Sequence, residues 1–338
     1  MKNTKLTNNS QTSLEQLTNN SQTSYPNKEL AQSPVISRTE LNPSTCQNKC
    51  EISNQDNTYQ MKVCFIHSGG DSMASFRYRC KMPAKYLNSQ GVETFLNCGE
   101  ANVVVFTKPT QEDDDLASFM KDQGATIIFD IGDPHFEHPR LGPIYESMLA
   151  RADLIVTPTE FTKNLINEKG RDAVVIPDPY EFEQLAPHAE GEKFLWFGHE
   201  TNTKDIKSIV DVFGDNGLRI ITGPSKVPET TFYSPQNLKR GLEESNIALF
   251  PTSKGSEYKS NNRLINAVMS GLFPVCSNHP AYEEFKMFWV GEINTGIRWA
   301  KHYKSDLNDL VAEGQSYIKE TYSPEIVGAK WLNLLESI

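Results

Sequence analysis

From Met61 onward, short apolar runs alternate with helical stretches, and this alternation restricts the fold more than any other feature of the chain. The runs fall at 63–66, 92–96, 103–106, 126–129, 154–156 and 173–176, with helical patterns at 112–123, 140–150 and 160–169 among them. Runs this short, bounded by turn residues and separated by helices, predict parallel strands covered on both faces. Pro177-Asp178-Pro179 interrupts the series, and a polar connection continues to Gly191. A second series follows, with runs at 194–197, 218–221, 247–250, 273–276 and more weakly near 288–290, and helices at 204–213, 261–269 and 306–320. A last amphipathic stretch, 324–335, places Ile326, Val327, Ala329, Trp331, Leu332 and Leu335 on one face. The reading is α/β: two Rossmann-like parallel-sheet domains facing a cleft, at 61–180 and 190–323, closed by a helix at 324–338.

Residues 1–60 are different in kind. They are rich in Asn, Ser, Thr and Gln, and the octapeptide LTNNSQTS occurs at 6–13 and again at 17–24. Such a segment cannot bury enough apolar surface to offset chain entropy, so a disordered low-complexity tail is expected. Met61-Lys62-Val63-Cys64-Phe65-Ile66 then has the look of a first buried strand. A chain starting at Met61 is expected to fold without the tail.

Charge narrows the partners. In the tail, Lys2, Lys5, Lys28, Arg38 and Lys49 balance Glu15, Glu29, Glu40, Glu51 and Asp56, so the formal charge of −10 falls on the rest of the chain. An acidic globule is poorly suited to hold long nucleic acid, and any anion it binds needs a local basic pocket. Cys64, Cys98 and Cys276 lie in or beside apolar runs, and no paired Cys-x-x-Cys occurs, so neither a disulfide framework nor a zinc site is indicated. With no run long enough for a membrane span and no secretory leader, a cytoplasmic protein is expected, peripheral membrane contact remaining open.

Ligands of open α/β sheets bind beyond the carboxyl ends of the strands. After the first run stands His67-Ser68-Gly69-Gly70, where the glycine pair admits close approach of backbone to a ligand. It is not the dinucleotide fingerprint, for no G-x-G-x-x-G is present. Arg77 and Arg79 follow, one suited to a ligand phosphate or carboxylate and the other to an internal ion pair. The fourth run ends Phe129-Asp130-Ile131-Gly132-Asp133-Pro134-His135, which offers Asp130, Asp133 and His135 for acid–base work or sugar hydroxyls. The second half carries the richest segment: a run ending at Phe250, then a polar loop with Lys254, Glu257, Lys259, Ser260, Asn261, Asn262 and Arg263, then a helix. Ser260 or Asn261 is the expected N-cap. A helix start flanked by Lys259 and Arg263 is a physically sound diphosphate site in an otherwise acidic chain.

The sequence from 61 to about 337 resembles the retaining GT-B glycosyltransferases of family four. The likeness is carried by Asn266-Ala267 leading to Gly271-Leu272-Phe273-Pro274-Val275, by Tyr282-Glu283-Glu284, by Ala152-Asp153-Leu154-Ile155-Val156-Thr157, and by Val175-Ile176-Pro177. Two departures stand out. The family's paired glutamates fall here at Tyr258 and Asn266, with Glu257 one place away, and its diphosphate-binding Arg and Lys have no clear counterpart at Gly223-Pro224-Ser225-Lys226. The resemblance implies a hexosyltransferase-like glycosyltransferase using a nucleotide-diphosphate sugar, with retention, toward a glycan, lipid or small-molecule acceptor. In place of the missing counterparts, the donor-binding candidates of this sequence are Gly69, Gly70, Lys254, Glu257, Lys259, Asn262, Arg263 and, near the ribose, Asn266. Asp133, His135 and Arg77 are the catalytic candidates. No cofactor and no metal are expected, since no Asp-x-Asp ends an apolar run and the acidic stretch 112–115 opens a helix. The rival readings are a catalytically silent nucleotide-sugar-binding module and a nucleotide-sugar 2-epimerase.

Overall fold

The computed structural model describes residues 61–338, except Cys98, 183–184, 214–216, 225–226, 228–229 and 253–257 and the side chains of 207, 208 and 210–212. The expected tail, 1–60, and two candidate site residues, Lys254 and Glu257, therefore lie outside the described residues.

The first lobe runs β1 (Lys62–His67), α1 (Met82–Ser89), β2 (Glu93–Leu96), β3 (Val103–Thr107), α2 (Gln111–Asp122), β4 (Thr126–Asp130), α3 (Gly142–Arg151), β5 (Leu154–Thr157), α4 (Glu160–Glu168) and β6 (Val174–Val175). A single α turn, Ala74–Phe76, and a π-helical turn, Arg77–Lys81, lead into α1. The strands form one parallel sheet in the order β2-β1-β3-β4-β5-β6. Alternate side chains serve opposite faces, as a strand's two-residue period requires. Val63, Phe65, Val103 and Val105 pack with Cys80, Ala84 and Leu87, whereas Cys64, Ile66, Val104 and Phe106 pack with Met120 and Met148. Being buried on both sides, β1, β3, β4 and β5 read as continuous apolar runs, which is why they were legible.

The second lobe runs β7 (Phe194–Phe197), α5 (Thr203–Phe213), β8 (Leu218–Thr222), β9 (Thr230–Phe232), α6 (Pro235–Glu244), β10 (Ile247–Phe250), α7 (Asn262–Met269), β11 (Phe273–Cys276), β12 (Trp289–Val290), α8 (Ile293–His302), α9 (Leu307–Tyr322) and α10 (Pro324–Glu336). Its parallel sheet has the order β12-β11-β10-β7-β8-β9. Three elements had no expectation in the sequence: β9, α6 and α8. In α6 the signal was present, for Ser234 caps it through Asn237 N and Pro235 fills its first position. The final helix α10 returns to the first lobe, where its fully buried Trp331 meets Phe65 edge-on at 5.7 Å.

Candidate active site

In each sheet the chain works outward from one strand and then crosses to that strand's other side, so each sheet has a switch point where a crevice opens at the carboxyl ends. In the second lobe this lies between β7 and β10. Two segments converge there: the β7–α5 turn and the residues that open α7. Lys259 Nζ donates to Asn202 Oδ1 of that turn. Arg263 Nη1 donates to the Phe197 carbonyl at 3.2 Å, with its guanidinium 5.5 Å over the Phe250 ring. Burial first, then the neighbouring Arg263 charge, holds the Lys259 ammonium below its ordinary pKa, and Lys204 acts in the same sense. Lys259 and Arg263 thus stand together at this switch point, while the buried Asp205 and, from the other lobe, Asp133 act on Lys259 in the opposite sense. Lys204 was not singled out in the sequence; the signal was its place in the first turn of the helix that follows β7.

The α7 start is uncapped by side chains. Asn261 occupies the N-cap position without making a side-chain cap hydrogen bond. Its Nδ2 instead donates to Glu284 Oε1 at 2.9 Å and to the Tyr322 hydroxyl at 3.0 Å. Ser260 Oγ donates to Asp178 Oδ2 at 2.6 Å. Asn262 Nδ2 reaches the same carboxylate oxygen at 3.4 Å. The helix begins at Asn262, so Lys259 reaches the site from the loop and does not share a helical face with Arg263.

The first lobe's switch point, between β1 and β3, brings His67 and Lys108 together with the loop after β4. Lys108 has a left-handed backbone, φ 51°. Its Nζ pairs with Asp133 Oδ2 at 2.8 Å. Burial works to raise the Asp133 pKa, but Lys108, His135 and Lys259 outweigh it and hold the carboxyl below its ordinary range. Lys259 belongs to the other lobe, so the two lobes' charges act on each other across the cleft. Burial, then Lys108, lowers the His135 pKa while Asp133 opposes them, and the His135 ring lies edge-on to Tyr145 at 5.4 Å. His67 is pushed down to about 4, by burial and then by Lys108. Its Nδ1 accepts from Gly69 N at 2.7 Å, which places the remaining ring proton on Nε2, 3.0 Å from Ser75 Oγ. Gly69 closes that turn against Met73, and a side chain at Gly70 would meet open space.

Other candidates are occupied elsewhere. Arg77 was a catalytic candidate, but its Nε and Nη2 donate to the Glu181 carboxylate at 2.5 and 3.0 Å, and its Nη1 to the Asp71 carbonyl at 2.8 Å. The carboxylate of the connection lies within reach of the guanidinium, so both arginines of this segment serve internal pairs. Arg79, 2% exposed, holds Asp130, which is fully buried and also accepts from Thr107 Oγ1. Asn266, expected near a ribose, is 2% exposed. Its Oδ1 accepts from Glu181 N at 2.8 Å, and its Nδ2 donates to the Tyr78 hydroxyl at 3.1 Å and the Asn262 carbonyl at 2.7 Å. It fastens α7 to the connection and has no free polar atom to offer a ligand. Among the described residues no group of three or more His, Cys, Asp and Glu is placed to hold a metal ion.

No family model matches this chain, and no curated protein matches it. Solved structures do. Anabaena HepE, in complex with UDP-glucose, overlays with a TM-score of 0.61 at 9% identity, across 82% of this chain and 100% of that one. T4 phage BGT, in complex with its UDP-glucose substrate, gives 0.53 at 14%, across 82% and 99%. A candidate UDP-N-acetylglucosamine 2-epimerase from Listeria monocytogenes gives 0.52 at 10%, across 82% and 96%. At such identities the likeness speaks to architecture, and that architecture is the GT-B fold of glycosyltransferases.

Proposed function

We propose that this protein transfers a sugar from a nucleoside-diphosphate sugar to an acceptor. One observation carries the reading: in a lobe of an acidic chain, Lys259 and Arg263 meet at the switch point of the second sheet, beside a helix start that no side chain caps. Two cations and the first-turn amides of α7 suit a diphosphate, and they would stabilise the charge that develops on it as the glycosidic bond breaks. Across the cleft, the ionised Asp133, the neutral His135 and the open space at Gly70 suit the sugar and the acceptor hydroxyl. Lys259 and Arg263 supply positive charge for a leaving diphosphate, so we propose a reaction without a metal cofactor. The neighbours captured with UDP-glucose make a uridine nucleotide the first donor to test. The −10 charge argues for a glycan, lipid or small-molecule acceptor over long nucleic acid.

Thermal-shift measurements against UDP, GDP, ADP and their sugars test the binding step, since a ligand at 100 times its dissociation constant adds about 2.7 kcal/mol of stability. The absence of any shift at millimolar nucleotide would overturn the reading. A second reading, nucleotide-sugar 2-epimerase, has the Listeria overlay in its favour. Donor turnover to an epimeric sugar nucleotide with no acceptor present would decide for it.

A further inference from the structure

The connection between the sheets is threaded between the Arg77–Arg79 segment and α7, and two of its acids, Asp178 and Glu181, hold on to both sides. Asp178 is 6% exposed. Its Oδ1 receives Arg79 Nη1 at 3.3 Å, and the same guanidinium holds Asp130 and the Ile176 carbonyl. Its Oδ2 receives Ser260 Oγ at 2.6 Å and Asn262 Nδ2 at 3.4 Å. Three residues on, the Glu181 carboxylate takes Arg77 and the Tyr78 hydroxyl, while its backbone N–H donates to Asn266 one turn into α7. Ser260 lies between Lys259 and the N-cap, so the hydroxyl that Asp178 grips belongs to the segment that presents the cations.

We propose that Asp178 is a positioning residue: from the connection between the lobes it fixes the Lys259–Arg263 segment, and with it the place where those cations meet a nucleoside diphosphate. The ligand in this statement rests on the function proposed above, but the positioning has a readout that needs no ligand. A hydroxyl bonded to a carboxylate in buried surroundings is charge-assisted and short. This bond fixes the residue directly before Asn261, which occupies the N-cap position of α7 and directs its own side chain to Glu284 and Tyr322. Asp178→Asn keeps the shape and an oxygen toward Arg79, which Asp130 still neutralises, so the fold persists while the grip on Ser260 weakens.

The test uses the full chain as wild type, Asp178→Asn, Ser260→Ala and the double variant. Amide hydrogen exchange without ligand should be faster across 258–264 in both single variants, unchanged in β1 and α10, and no faster in the double than in the worse single. Calorimetric titration with UDP should show affinity falling about tenfold in each single variant, again without multiplication in the double. Unchanged exchange across 258–264 in variants of wild-type melting temperature would overturn the proposal, and so would multiplicative losses. Should Asp178→Asn fail to fold, Ser260→Ala decides alone, because it leaves the Arg79 pair intact. A wild-type protein that binds no UDP overturns the nucleotide reading, while the exchange result still decides whether Asp178 holds the segment.

Discussion

Lys108 and Asp133 join the carboxyl ends of β3 and β4 through an ion pair of 2.8 Å. The pair is half-exposed, with side-chain exposures of 23% and 39%, so its value lies less in stability than in fixing a charge at the first lobe's switch point. The Asp133 pKa is depressed, so the carboxylate is ionised throughout the neutral range. Its contribution is complete above the ordinary carboxylate value and is lost only as pH falls through the lowered one. The acid limb of donor turnover is therefore expected below the range of an unperturbed aspartate, about 3.9. Lys108→Met should move that limb to higher pH. An acid limb that stays in place would show that Asp133 is not the group being titrated.

His67 titrates in the same sense through a different cause. Its folded pKa is near 4 and its ordinary value 6.5, because burial disfavours the charged ring and Lys108 adds to that. Between those values the unfolded chain binds the extra proton, so stability is complete above about 6.5 and is lost as pH falls toward 4. The loss is expected to reach a few kcal/mol, at about 1.4 kcal/mol per unit of pH across the window. Guanidinium unfolding at pH 7.0, 5.5 and 4.5 measures it. His67→Asn, though less stable overall, should lose stability less steeply over that window; an identical slope in the two proteins would remove His67 from the account.

Arg263→Ala removes a charged donor from the proposed diphosphate site. The expected loss is about 1.5–3 kcal/mol in nucleotide binding, or roughly 10- to 150-fold. Because Arg263 also holds the Phe197 carbonyl at 3.2 Å and lies over Phe250, the melting temperature must be measured alongside. The double change Lys259→Ala with Arg263→Ala should abolish binding with an unaltered circular dichroism spectrum. Native affinity in that double variant would place the nucleotide elsewhere.

Much of the fold was legible because parallel strands buried on both faces write themselves as apolar runs: 194–197, 247–250 and 273–276 coincide with β7, β10 and β11. β9 was not legible, since its Thr230, Thr231 and Phe232 sit at a sheet edge with Phe232 65% exposed and carry no apolar signature. In the site, local chemistry was readable and long-range pairing was not. Sequence places Arg77 and Asn266 as polar residues near a cleft, but nothing local reveals that Glu181, 104 residues from Arg77, takes up that guanidinium. Lys108 escaped for another reason: a lone lysine after a strand looks like any solvated charge until the sheet order shows which crevice it borders.

Gly328 in α10 tests whether the closing helix is an integral part of the first lobe. A Cβ at this position would lie 2.2 Å from Cγ of Tyr86 on α1, too close for any real contact. Two opposing effects make the variant informative. Within a helix, Gly→Ala is intrinsically favourable by about 1 kcal/mol. Here the added methyl meets the root of an aromatic ring, not a flexible side-chain end, so α10 must lift from α1 and disturb the packing of the fully buried Trp331 on Phe65. Overpacking of this kind costs roughly 1–3 kcal/mol. The backbone displacement places Gly328→Ala toward the upper end, for a net loss of about 1–2 kcal/mol and a melting temperature lower by roughly 2–8 °C. Gly328→Ala combined with Tyr86→Ala removes the clash and should recover the helical gain, leaving only the cost of the lost ring. A variant that melts at or above the wild-type temperature would mean that α10 does not pack against α1 in solution.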